Sequence, residues 1–136
     1  MKICIDVDGV ISQLKREGQT YADVEPIPGA VEKINALRAA GHYIILFTAR
    51  HMKTCSGNVG LVIARQGKTT LDWLERHGVG YDEIHFGKPH ADVYIDDNAF
   101  RFGSWDAIDG NGGNLPMSTE KRLKAGQAID PVGGVL

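Results

Sequence analysis

The run Ile3-Cys4-Ile5-Asp6-Val7-Asp8-Gly9-Val10 constrains this chain more than any other stretch, because it carries two carboxylates at the end of an otherwise apolar segment and then breaks at glycine. An uninterrupted apolar run predicts a strand buried on both faces, as in a parallel sheet covered by helices. Aspartate has poor strand propensity and is costly to bury unpaired. Two of them, one residue apart where strand becomes loop, suggest a compensating charge such as a metal ion. The plain alternative is a strand-to-turn transition with Asp and Gly as turn formers.

The rest of the chain repeats the pattern. After a polar stretch from Ile11 to Glu25 that could cover a site, Pro26-Ile27-Pro28-Gly29 opens a helix with Val31, Ile34 and Leu37 on one stripe and Gly41 past its end. A second apolar run, Tyr43-Ile44-Ile45-Leu46-Phe47, ends in Thr48-Ala49-Arg50. Residues 51–65 read as a substrate-facing loop because Gly57 and Gly60 interrupt them, and a helix is expected from about Gln66 with Leu71 and Leu74 inward and Gly78 closing it. Asp82-Glu83-Ile84-His85-Phe86 predicts a third strand leading to Lys88, and Val93-Tyr94-Ile95 a fourth ending in Asp96-Asp97. Alternating strands and helices predict an α/β fold, a Rossmann-like doubly wound parallel sheet. Residues 1–102 form its core, and residues 103–136 an irregular C-terminal extension of the same single domain. Within the extension a short helix is expected from Ser118 to Gly126, and Trp105 is expected to anchor the start.

In open parallel sheets, ligands bind beyond the carboxyl ends of the strands. Here those ends deliver Asp6 and Asp8, Thr48 and Arg50, Lys88, and Asp96 and Asp97. Taken singly, Thr48 is a strand-end hydroxyl, Lys88 a solvated charge and Asp96-Asp97 a turn; together they make a site for phosphate and metal. Four neighbouring carboxylates need a cation to stay ionised, and oxygen-only ligands favour Mg²⁺ over Zn²⁺. Two cysteines, Cys4 and Cys55, make neither a disulfide framework nor a zinc pattern and fit a reducing, cytoplasmic compartment. A net charge of −2 advertises no strong attraction to nucleic acid, and no apolar span suggests a membrane.

These four motifs, Asp6-Val7-Asp8-Gly9-Val10, Thr48 after an apolar strand, Lys88 before Pro89, and Asp96-Asp97, stand in the order found in the haloacid dehalogenase-like superfamily, whose phosphatase branch the chain resembles over residues 3–97. More narrowly, Pro26-Ile27-Pro28-Gly29, Phe47-Thr48-Ala49-Arg50 and Gly57-Asn58-Val59-Gly60 are similar to the small capsule-biosynthesis phosphatase-like proteins of bacteria. The resemblance implies a Mg²⁺-dependent phosphomonoester hydrolase working through an aspartyl-phosphate. Asp6 would be the nucleophile and Asp8 the acid/base, a residue that the dehalogenases and phosphonatases of the superfamily lack. Thr48 and Lys88 would bind phosphoryl oxygens. Asp6, the Asp8 carbonyl and Asp97 would hold Mg²⁺, with Asp96 direct or through water. Arg50, His51 and Asn58 are candidate substrate contacts.

The segment between Asp8 and Pro28 is too short for a large helical cap, so the expected site is open to a sugar phosphate, a nucleotide or another phosphorylated metabolite. The C-terminal extension could build a homo-oligomer. Two rival readings are a non-catalytic phosphate-binding regulatory module and a phosphotransferase or mutase using the same aspartate. The order of the motifs separates the chain from response-regulator receivers and from Toprim domains.

Overall fold

The computed structural model describes residues 1–127, which form a small α/β fold with helices flanking a three-stranded parallel sheet. Strand β1 (Lys2–Asp6) pairs with β2 (Tyr43–Thr48), and β2 with β3 (Glu83–Phe86), in the order β1-β2-β3. Asp6 stands opposite Phe47, and Thr48 opposite Phe86, so the residues that follow all three strands emerge along one edge. Helix α1 (Ala30–Ala39) connects β1 to β2 and helix α2 (Val59–Arg76) connects β2 to β3.

The core collects Ile5 and Val7 from the first strand and its exit, Ile44 and Leu46 from β2, Ile34 and Leu37 from α1, and Trp73 and Leu74 from α2. In β2, Ile44, Leu46 and Thr48 are buried while Tyr43, Ile45 and Phe47 are not, which is a strand with one covered face rather than the two that its apolar composition predicts.

The expected fourth strand does not form. Val93, Tyr94 and Ile95 are not in a strand, and Ile95 is 98% exposed. A local closure competes with sheet pairing here. The Tyr94 ring lies over the Lys88 ammonium at 4.3 Å and its hydroxyl donates to the Pro89 carbonyl, folding the segment back on itself. Among the described residues, β1 therefore has a partner on one side only.

Helix α2 begins earlier than Gln66. The Asn58 carboxamide oxygen accepts from the Leu61 N–H at 3.0 Å, a side-chain cap that starts the helix at Val59 despite Gly60 in its first turn. Its inner face is Val62, Thr70, Trp73 and Leu74, whereas Leu71 is 40% exposed, one step off the buried stripe. The α1 stripe of Ile34 and Leu37 is as expected, and Gly29 and Gly41 bracket the helix with φ of 84° and 95°, values that favour glycine.

The extension packs on the core at its start. The Trp105 indole N–H donates to the Val10 carbonyl at 2.7 Å, and Trp105 and Ile108 join the core. Helix α3 (Thr119–Lys124) is capped by Ser118 and followed by Gly126 with φ of 72°. Expectations for residues 128–136, including the end of any oligomer-forming arm, lie outside the described residues. Among the described residues, no helix is long and apolar enough to cross a membrane.

The polar stretch after β1 is tied down at both ends. Gln13 N–H donates to Glu25 O at 2.9 Å and Ile27 N–H to Ile11 O at 2.8 Å, closing residues 13–25 into an excursion beside the sheet edge. The Trp73 indole N–H reaches the buried Val24 carbonyl at 2.8 Å and holds this excursion on α2. Trp73→Phe leaves that carbonyl unsatisfied and should lower stability by about 1–3 kcal/mol in urea unfolding. An unchanged midpoint would show that the indole bond does not hold the segment.

Candidate functional site

Backbone geometry at the end of β1 sets the two carboxylates. Past Asp6 the chain leaves the strand, and Val7 O accepts from the N–H groups of Val10, Ile11 and Ser12, a tight turn around a buried Val7. Gly9, with φ of 85°, lets the chain reverse within that turn. Asp6 Oδ1 accepts from the Val7 N–H at 2.9 Å, and Asp6 Oδ2 lies 3.5 Å from Lys88 Nζ. Lys88 is carried there by continued pairing past β3, its N–H donating to Thr48 O at 3.1 Å.

Asp8 has a different partner. Arg50 Nε lies 3.0 Å from Asp8 Oδ1 and 3.1 Å from Oδ2, and the Ser12 hydroxyl donates to Oδ1 at 3.2 Å. Each carboxylate at the end of β1 is thus matched with a cation delivered from beyond another strand. Asp6, Asp8 and Arg50 line a cleft of about 560 Å³ together with Leu14, Lys15 and Tyr21 from the excursion and His90 and Tyr94 from the segment after Lys88. Burial pushes the Asp6 carboxyl above its ordinary range and the Asp8 charge adds to this, while Lys88 and the Val7 N–H pull the other way. Burial, then the Asp8 charge, raise the Tyr21 phenol, and the Arg50 charge opposes them.

The structure brings Asp6, Asp8, Arg50 and Lys88 together, with Thr48 beneath them. Thr48 is fully buried, and its hydroxyl accepts from the Arg50 N–H at 3.1 Å. Arg50 was expected to meet substrate. Its side chain is instead enclosed, because its guanidinium turns inward to Asp8, Ser12 and Thr70. Asn58 is occupied as the α2 cap.

His51, in a left-handed conformation with φ of 58°, lies in a smaller adjoining cavity of about 220 Å³ with Lys15, Tyr21 and Gln66. Burial lowers its pKa, as do the charges of Arg65, Lys15 and Arg50. Leu14, Lys15, Tyr21, His90 and Tyr94 are site residues that sequence reasoning did not single out. The signal was present only as the polar stretch after Asp8, read as a segment able to cover a site.

Asp96 and Asp97 are not part of the assembly. Both are exposed; Asp96 accepts from the Asn98 N–H at 3.2 Å in its own turn, and the Asp97 carbonyl accepts from the Thr119 hydroxyl at 3.1 Å. Their displacement follows from the failure of Val93–Ile95 to join the sheet, which would have carried them to the common edge. Among the described residues, no group of three or more His, Cys, Asp or Glu side chains could hold a metal ion. The donor chemistry agrees, since both carboxylates of the cleft already face cations. In this arrangement the residues do not fit the expected Mg²⁺ site.

The fold and site define a small α/β protein with paired carboxylates and cations at the carboxyl edge of a parallel sheet. No known family's sequence model matches the chain, and no curated protein matches it. Among solved structures, the crystal structure of an MCSG target from Vibrio cholerae is 31% identical, covers 90% of this chain and 94% of its own, and superposes with a TM-score of 0.68. The chain belongs to the same family as that Vibrio cholerae protein.

The raised Asp6 pKa means that its ionised form disfavours the folded state. That cost is present above the folded-state pKa and vanishes as pH falls below the unfolded value of about 3.8. In metal-free buffer, Asp6→Asn should therefore melt higher than wild type near pH 7 and lose that advantage toward pH 3. A variant less stable than wild type at pH 7 would contradict the assignment.

Proposed function

We propose that the protein hydrolyses phosphate monoesters through an aspartyl-phosphate, in the manner of the haloacid dehalogenase-like phosphatases. The observation that carries this reading is the double pairing at the end of β1, Asp6 with Lys88 and Asp8 with Arg50, around one open cleft. Two carboxylates separated by a single residue occupy distinct electrostatic settings, which divides their tasks.

Asp6 is the nucleophile. Its oxygen bonds to phosphorus while the bond from phosphorus to the leaving oxygen breaks, which replaces one difficult displacement by two easier ones. Asp8 gives its proton to the leaving oxygen. It then takes a proton from the water that attacks phosphorus and releases Asp6. The Lys88 ammonium, 3.5 Å from Asp6, offsets the charge of an incoming phosphoryl group beside an anionic nucleophile. Thr48, buried at the base of the strand ends, supports the Arg50 backbone from which the second pair is built. No step is routed through a metal, because the cleft as arranged does not assemble one.

Among the described residues, the cleft has no large cap over it, and only residues 13–25 and the segment after Lys88 contribute to its walls beyond the strand ends. This supports a phosphorylated metabolite with a sizeable leaving group, such as a sugar phosphate or a nucleotide.

Phosphate release from a panel of phosphorylated metabolites and aryl phosphates, assayed in Mg²⁺ buffer and again with chelator, tests the reading. Wild type should turn over at least one ester, and Asp6→Asn should lose on the order of 10³-fold or more in kcat. Failure to hydrolyse any phosphoester sinks the proposal. Activity lost on chelation and restored by Mg²⁺ would show that the working enzyme uses a metal that this arrangement of the cleft does not assemble.

A further inference from the structure

Arg50 is a cation that the displacement at phosphorus does not itself use. Its side chain is 0% exposed, whereas Asp8 beside it is 23% exposed. Nε serves both oxygens of Asp8, at 3.0 and 3.1 Å. The remaining donors go elsewhere: Nη1 to Thr70 Oγ1 at 3.2 Å on α2, and Nη2 to Ser12 Oγ at 3.3 Å in the turn after β1. The Tyr21 ring covers the guanidinium, with Cζ 4.4 Å from its centroid.

Taking a guanidinium out of water is costly, and well-packed apolar side chains could fill the same volume. A phosphate anchor has to reach its ligand. This one lines the cleft with 0% of its side chain exposed and its donors turned to Asp8, Ser12 and Thr70, while Asp8 is the more exposed of the pair.

On the phosphatase reading above, we infer that Arg50 is the positioning residue of the acid/base Asp8. Its anchors at Thr70 and Tyr21 make no hydrogen bond to Asp8 and do not depend on its protonation. The guanidinium therefore stays in place through both half-reactions, when Asp8 passes its proton to the leaving oxygen and when it takes one from water. Arg50 itself gives and takes no proton. Ser12 closes the arrangement by accepting from Arg50 and donating to Asp8 Oδ1 at 3.2 Å. Substrate recognition falls instead to residues with exposed surface in the cleft.

The readout that separates positioning from simple structural support is sensitivity to the leaving group. An alkyl phosphate needs its leaving oxygen protonated, whereas p-nitrophenolate leaves without help. Arg50→Lys keeps the charge and removes the fork. It should lower kcat/KM on the best alkyl phosphate by about 10²-fold or more, and on p-nitrophenyl phosphate by about tenfold at most.

An equal fractional loss on both esters, or no loss on either, overturns the assignment. Should Arg50→Lys fail to fold, Thr70→Val removes an anchor of the guanidinium without touching Asp8. The same skew is expected there at smaller amplitude, and an even loss again overturns it. A wild type that hydrolyses neither ester removes the phosphatase reading and this assignment together. An active wild type whose variants keep the wild-type ratio removes only the role of Arg50.

Discussion

The ion pair between Arg50 and Asp8 is the interaction on which the rest of the site depends. Desolvating two charges costs on the order of several kcal/mol per ion, and only good geometry with satisfied donors offsets it. Here the geometry is supplied from four places: the exit of β1, the turn at Ser12, Thr70 on α2 and Tyr21 in the excursion over residues 13–25. None of these is near another in sequence except Asp8 and Ser12. The pair therefore reports that sheet, helix and excursion have docked in one arrangement. The same docking sets the width of the cleft.

Charge balance at the sheet edge follows from the parallel register. Because Asp6 is level with Phe47 and Thr48 with Phe86, the residues just past each strand converge, and basic groups from beyond β2 and β3 meet the acidic groups from β1. Each carboxylate acquires one cation. Asp6 and Lys88 remain partly open to solvent, with side chains 35% and 17% exposed, while Arg50 is closed off. On the proposed reading, an approaching phosphoryl group competes for Lys88 rather than for Arg50, whose side chain is closed off.

Much of this was legible in the sequence. The runs at Ile3–Asp6 and Tyr43–Phe47 gave parallel strands, and Asp6, Asp8, Thr48 and Lys88 lie at strand ends as their spacing implies. Local signals also sufficed for Gly29 and Gly41 around α1 and for Ser118 before α3. What sequence could not show is non-local. Arg50 follows a strand end and reads as a substrate contact, but its orientation is decided by Ser12 and Thr70, which no local pattern links to it. Asn58 was read for its possible ligand chemistry when its carboxamide was needed as a helix cap. Val93–Ile95 has the composition of a strand, yet the contacts of Tyr94 with Lys88 and Pro89 close the segment locally and leave Asp96 and Asp97 outside. In this arrangement the expected Mg²⁺ site does not assemble, because Asp96 and Asp97 lie apart and Asp6 and Asp8 face Lys88 and Arg50.

The central claim is that Asp6 takes the phosphoryl group. Acid quenching during turnover, followed by proteolysis and mass spectrometry, tests it most directly. The account predicts a phosphorylated peptide spanning β1, with the acid-stable, base-labile modification of an acyl phosphate localised to Asp6. Turnover that never phosphorylates that peptide, under quench conditions that preserve a control acyl phosphate, would contradict it.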